Sequence, residues 1–301
     1  MKNLNKDTRT IDRALKWLVP PIALLALLAA VAGLWPGEGT PFTVTNFRGE
    51  VVTISAKGLY YWDTVSSAAQ MQANDLVTLI LGVPLLLVGL RMTLRGSLRG
   101  RLLLTGTVGF VLYTYITMCF GAAYNQLFLV YVVLFGLSLY AIVLSLWGID
   151  LASLPGHFSP TLPRRGIAGL LFGAGGFLLL AWLGRIAATW SGGQPAALEN
   201  VTSLFIQAMD LAVIVPLCFV SGVLLLRGSA WGYLLASISL LKFLTLGLAV
   251  SLMGLNMLRV GVAVSPVELG VFPVIALANL VMTVILLKNI SESTHKEPVV
   301  L

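Results

Sequence analysis

Eight apolar runs, each of about 20 residues, constrain this chain more than any other feature, because each is long enough to cross the hydrocarbon core of a bilayer as a helix. They lie near 16–35, 70–91, 101–122, 125–147, 166–189, 203–226, 231–255 and 267–288. Composition agrees with that reading: 58% of the residues are hydrophobic and 10% are charged, too few charges to cover a soluble surface. The expected fold class is an all-α polytopic membrane protein with eight transmembrane helices. The second and sixth helices are expected to begin above the membrane, since 64–72 is rich in Ala, Gln and Met.

The net charge of +7 is explained by topology. Lys2, Lys6, Arg9, Arg13 and Lys16 precede the first run, and Arg91, Arg95, Arg99 and Arg101 fill the second connection. Arg164 and Arg165 lie in the fourth connection, Arg227 in the sixth, and Lys288 and Lys296 in the tail, so 14 of the 19 basic residues share one side. By the positive-inside rule both termini are expected in the cytoplasm, with the protein in the cell (plasma) membrane. The basic residues thus track a lipid bilayer surface, and no nucleic-acid partner is expected. The basic, apolar N-terminus resembles a signal peptide. However, Ala29-Ala30-Val31-Ala32 lies deep in a full-length run, so an uncleaved first helix is expected.

Two strings recur in the same order. Gln72-Ala73-Asn74-Asp75-Leu76 and Gln207-Ala208-Met209-Asp210-Leu211 open the second and sixth runs, and Arg95-Gly96-Ser97 and Arg227-Gly228-Ser229 close them. They suggest two tandem four-helix repeats of the same orientation: a first half over 1–150, a cytoplasmic linker over 151–165, and a second half over 166–301 with a short tail. The two acid-to-Arg spacings differ by three residues, which fits an insertion at Arg91-Met92-Thr93. The outer loop 36–63 should carry a small hairpin, with strands at 42–45 and 50–55 around Asn46-Phe47-Arg48-Gly49. Pro84, Pro216 and Pro273 fall within runs and favour kinks.

Charges inside hydrocarbon mark candidate sites. Counting helical rise from the basic connections puts Asp75 roughly 24 Å and Asp210 roughly 25 Å up, Arg185 roughly 30 Å, and Lys242 roughly 16 Å. An intramembrane charge set of Asp210, Lys242 and Arg185 is expected, with Asp210 within direct or one-water reach of Lys242. Asp75 has no basic residue at its depth, only Asn74, Tyr113, Tyr115, Tyr124, Asn125 and Gln126. The expected ligand-binding residues are Asp75, Asn74, Tyr115, Asn125, Trp62 and Asp210. Asp75, Tyr115, Asn125 and Trp62 would line an outward-open pocket favouring a cation. Leu59-Tyr60-Tyr61-Trp62 reads as an interfacial anchor or a lid above it.

Cys119 and Cys218 are expected as free thiols, and His157 and His295 lack partners at ligand spacing, so no metal or cofactor is expected. Three functions fit: a transporter-like or solute-binding membrane protein, which leads; a non-catalytic accessory or scaffold subunit; and an embedded enzyme acting on lipid-linked substrates. The last is weakest for want of a nucleophile–base arrangement. Beyond the bilayer, the expected partners are a small cationic solute or ion and another membrane protein.

Overall fold

The computed structural model describes residues 2–193 and 198–292, with residues 2–7 and Glu268 described only as helical backbone. His295 and Lys296 lie outside the described residues. Eight helices long and apolar enough to cross a membrane are present among the described residues, and the chain is an integral, multi-pass membrane protein. They are α1 (Lys2–Leu34), α2 (Val65–Leu94), α3 (Leu98–Gly121), α4 (Phe128–Trp147), α5 (Arg164–Ala187), α6 (Phe205–Leu226), α7 (Ala230–Arg259) and α8 (Pro266–Lys288). The early start expected for the second helix is present at Val65. The sixth begins only at Phe205, without such an extension.

Helix neighbours form two closed rings. In the first, α1 packs on α2 and α4, and α3 packs on α2 and α4; in the second, α5 packs on α6 and α8, and α7 packs on α6 and α8. The rings meet mainly through α7, which lies against α2 and α3. They approach closely at Gly106 of α3, where an added Cβ would stand 2.4 Å from the Leu241 Cβ and 3.2 Å from the Lys242 amide nitrogen. Exposed Trp17, Trp147 and Trp231 ring the face where α1 begins and α8 ends. Trp35, Trp62, Tyr124 and Trp190 ring the opposite face, the two belts expected of interfacial aromatics.

α2 and α6 share a break. A π turn occupies Thr78–Gly82 in one and Asp210–Ile214 in the other, each running directly into Val-Pro-Leu (Val83–Leu85, Val215–Leu217). Pro84 and Pro216 have no amide to offer the carbonyls of Ile80 and Ala212 four residues back, and the wider turn accommodates each ring. Each proline lies 11 residues before its Arg-Gly-Ser, whereas Asp75 lies 9 residues before Pro84 and Asp210 only 6 before Pro216. The three extra residues therefore sit inside α2, ahead of the π turn, and not at Arg91-Met92-Thr93. After the prolines the two chains match closely. Gly96 (φ 80°) and Gly228 (φ 69°) take the left-handed C-cap position. Ser97 and Ser229 amides close the helices on Met92 and Leu224 carbonyls at 3.1 and 3.0 Å, a conformation that favours glycine.

Both faces carry a cross-ring latch. On the face opposite the termini, the antiparallel strands β1 (Phe42–Thr45) and β2 (Val51–Ile54) pair Phe42 with Ile54 and Thr45 with Val51. The Asn46 side chain donates to the Glu199 carbonyl at 2.7 Å, Arg48 donates to the same carbonyl and to that of Val201, and Thr64 bonds the Glu199 carboxylate. On the terminal face, Glu292 accepts from Ser97 Oγ at 2.6 Å and from the Leu98 and Arg99 amides at 2.8 and 3.1 Å, capping α3. Partial burial pushes the Glu292 carboxyl up, but those hydrogen bonds hold it below its usual range. The segment before it pairs with the linker through Ser159 N to Asn289 O at 2.9 Å and Ser291 N to His157 O at 2.7 Å, while Phe158 stacks on Tyr233.

The Gly106 contact gives a direct test. Gly106→Ala and Gly169→Ala gain the same helix propensity, about 1 kcal/mol, but a Cβ at Gly169 meets nothing within 4 Å. Thermal unfolding in detergent is expected to show Gly169→Ala neutral or stabilised. Gly106→Ala is expected to lose about 1–3 kcal/mol through overpacking.

Candidate functional site

Two buried acids organise two different clusters. Asp75 of α2 is 2% exposed, and its Oδ2 accepts from Tyr60 Oη at 2.5 Å. Tyr60 lies in a single 3₁₀ turn, Gly58–Tyr60, that tucks its ring inward ahead of α2. Burial first, then the neighbouring Asp75, pushes the Tyr60 hydroxyl well above its ordinary range, so it is a donor at neutral pH. Gly33 of α1 closes the other side: a Cβ there would fall 1.9 Å from Asp75 Oδ2. Tyr115 is buried alongside, its ring 5.9 Å from that of Tyr131 and its hydroxyl at 3.5 Å from the Ala26 carbonyl, the limit of a hydrogen bond. Asn74 is also buried, with its Oδ1 unbonded.

The outward-open pocket expected around Asp75 is not formed by that set. Trp62 and Asn125 do share an open groove of about 790 Å³ with Trp35, Tyr61, Tyr124 and Gln126. Neither Asp75, Asn74 nor Tyr115 lines it. Asn125 accepts from the Leu127 amide at 3.0 Å and so organises the turn into α4, while Trp62, 61% exposed, meets Tyr61 edge-on. Tyr60 turns inward from this aromatic run and separates the acid from the groove. Inward turning is a tertiary outcome that the aromatic string does not announce.

The second acid faces the other ring. Asp210 of α6 accepts from Tyr113 Oη of α3 at 2.8 Å and from Trp182 Nε1 of α5 at 2.9 Å. Arg185, in the last turn of α5, is not one of these donors. Lys242 of α7 is 6% exposed, and its Nζ makes no hydrogen bond and lies beyond 4.0 Å from the Asp210 carboxylate. Instead it sits over the Tyr113 ring, 4.3 Å from the centroid, and 5.2 Å from that of Phe243. The direct Asp210–Lys242 pair is replaced by acid, tyrosine and amine in series. Tyr113, expected near Asp75, belongs to this cluster, and Trp182 carries no signal in the sequence because an indole offers one donor and no charge.

A third acid lies outside the spans. Asp63 Oδ1 accepts from the Ala123 amide at 2.9 Å and Ser67 Oγ at 3.4 Å, joining the start of α2 to the α3–α4 turn. Burial pushes its carboxyl from 3.8 up to about 6, against the pull of the Ala123 and Ser67 hydrogen bonds. Cys119 and Cys218 are free, the second fully buried. No group of three or more His, Cys, Asp or Glu suited to a metal ion is found among the described residues. No family model, curated protein or solved structure matches this chain.

Two outcomes check these clusters. Tyr60→Phe leaves the Asp75 carboxyl without its hydroxyl donor and is expected to cost about 1–3 kcal/mol in detergent unfolding, more than Asp75→Asn, which keeps an acceptor for Tyr60. For Asp63, the folded state holds its proton more tightly than the unfolded state, so its contribution to stability falls as pH rises from about 4 to about 6. The melting temperature of Asp63→Asn relative to the parent is therefore expected to climb over that window and to level off above it.

Proposed function

We propose that this protein is a transporter-like membrane protein whose two four-helix halves, 1–150 and 166–301, pass a small solute through a site between them. The carrying observation is that Asp210 and Lys242, from the second ring, meet Tyr113 of the first ring where the rings touch. Opposite charges at one interface, inside the spans and not paired to each other, are costly to keep unless they face something that binds. The like-ordered rings, the two π turns running into Val-Pro-Leu and the two Arg-Gly-Ser caps support tandem duplication with both halves oriented alike. The placement of Lys and Arg supports cytoplasmic termini in a plasma membrane.

The latches supply the rest of the reading. Each joins one half to the other, on opposite faces, with the Asp210–Tyr113–Lys242 cluster between them, as gates do in an occluded carrier. A non-catalytic scaffold is the second reading, favoured by the sealing of Asp75 and by both latches being closed.

Native Cys218 separates the two readings, since it lies in α6 eight residues beyond Asp210 and is fully buried within the second ring. In a Cys119→Ser background, breaking the hairpin latch with Arg48→Ala and Glu199→Ala is expected to raise maleimide labelling of Cys218 from the hairpin face. Breaking the tail latch with Glu292→Ala is expected to raise it from the terminal face. Unchanged labelling in both variants would leave the scaffold.

A further inference from the structure

We propose that the cluster between the halves binds a small zwitterion of the amino-acid or betaine type, with its carboxylate on Lys242 and its cationic end toward Asp210; this rests on the carrier reading above. The Lys242 ammonium has three donor hydrogens, is buried, and has no hydrogen-bond acceptor. Its ring contacts with Tyr113 and Phe243 favour a cation but accept none of those hydrogens in the way an oxygen would. The Asp210 carboxylate has two neutral donors, Tyr113 and Trp182, and no counter-ion within salt-bridge distance among the described residues. Tyr113 touches both, its hydroxyl on Asp210 at 2.8 Å and its ring 4.3 Å from the Lys242 Nζ, so a positive and a negative group flank one residue without meeting in a salt bridge.

Charge balance selects the ligand class. With Lys242 and Asp210 both ionised the cluster is neutral as a whole. A bound anion would satisfy the amine but add net negative charge in a low-dielectric interior, and a bound cation would do the reverse. A zwitterion supplies an acceptor to Lys242 and a counter-charge to Asp210 at no net cost in charge. Its carboxylate gives Lys242 a charge-assisted hydrogen bond, and its cationic end, whether a primary or a quaternary ammonium, faces the Asp210 charge. Entry requires α3 and α7 to part at the Gly106 contact, which an occluded carrier with two cross-ring latches would do from one face at a time. The open groove by Trp62 is a poorer site for such a solute, since no charged side chain lines it.

The experiment uses the full chain in a non-ionic detergent. Thermal unfolding is followed against increasing glycine, 4-aminobutyrate and glycine betaine, with acetate and methylammonium as single-charge controls. At least one zwitterion is expected to raise the melting temperature saturably while neither control does so. Lys242→Met and Asp210→Asn are each expected to weaken that ligand about 10- to 100-fold, the loss of one charge-assisted bond. Should either variant fail to fold, protection of Cys218 from maleimide by the same zwitterion in the Cys119→Ser chain gives the readout without touching the site. No stabilisation by any of the three, an equal effect of acetate or methylammonium, or affinity indifferent to both substitutions would overturn the proposal. If the latch variants open Cys218 as expected while no zwitterion binds, the ligand class fails and the carrier reading stands. If labelling does not respond to the latches, the carrier reading itself fails.

Discussion

A charge inside hydrocarbon has no water to turn to, so each one must find donors or acceptors on neighbouring helices, and this requirement arranges the interior of this protein. Asp75 is served by Tyr60, which a 3₁₀ turn directs inward, and is walled by Gly33, whose missing side chain makes room for the carboxylate. Asp210 draws donors from α3 and α5. Arg101, in the first turn of α3, is bound by Asp12 of α1. The partner in these three cases lies on a different element from the charge it serves, so the same bonds that solvate the charges also hold helices together. Lys242 departs from that pattern, because its neighbours are ring faces and its hydrogens have no acceptor.

The spans, the hairpin and the Arg-Gly-Ser turns were legible in the sequence because each depends on local chemistry: apolar length, alternating β-branched residues, and a glycine at a left-handed cap. The pairing of charges was not. Depth along a helix can be counted at 1.5 Å per residue, but azimuth cannot be read without knowing which faces meet. That is why counted depth puts Tyr113 level with Asp75 although it bonds Asp210, and why Asn125 and Trp62 stand at the right height for Asp75 while Tyr60 is its partner. The tail strap is illegible in sequence for a similar reason. Glu292 reads as an ordinary exposed acid until the amides of Leu98 and Arg99 are brought beside it.

The two acids also differ in register. Aligned on Gln-Ala-x-Asp they are equivalent; aligned on Val-Pro-Leu, which the π turns share, Asp210 matches Thr78, and Asp75 stands three residues earlier. Three helical residues are nearly a full turn, leaving the acids about 60° apart in azimuth and one turn apart in height. That offset is consistent with one acid facing inward within its own ring and the other facing the neighbouring ring. A proline fixes the break, and the chain ahead of it is free to present the acid to either side. If the halves descend from one unit, their divergence is concentrated there, while the turn after the proline has kept its geometry to within a few tenths of an ångström in its closing hydrogen bonds.

Glu199 shows how the halves hold one another on the hairpin face. Its φ of 50° is a left-handed conformation that a residue with a side chain adopts at a cost. Its carbonyl accepts from Asn46 and Arg48 while its carboxylate reaches Thr64, so three groups of the first half hold one strained residue of the second. In that conformation its carbonyl meets the hairpin turn while its carboxylate meets the residue ahead of α2. Released from those partners, Glu199 gains by relaxing, and the latch therefore opposes its own closure by a small amount. A contact of that kind is stable yet easily exchanged for another state. The buried Gly106 contact differs in kind: it is held by close packing of α3 on α7, with no strained residue to gain by letting go.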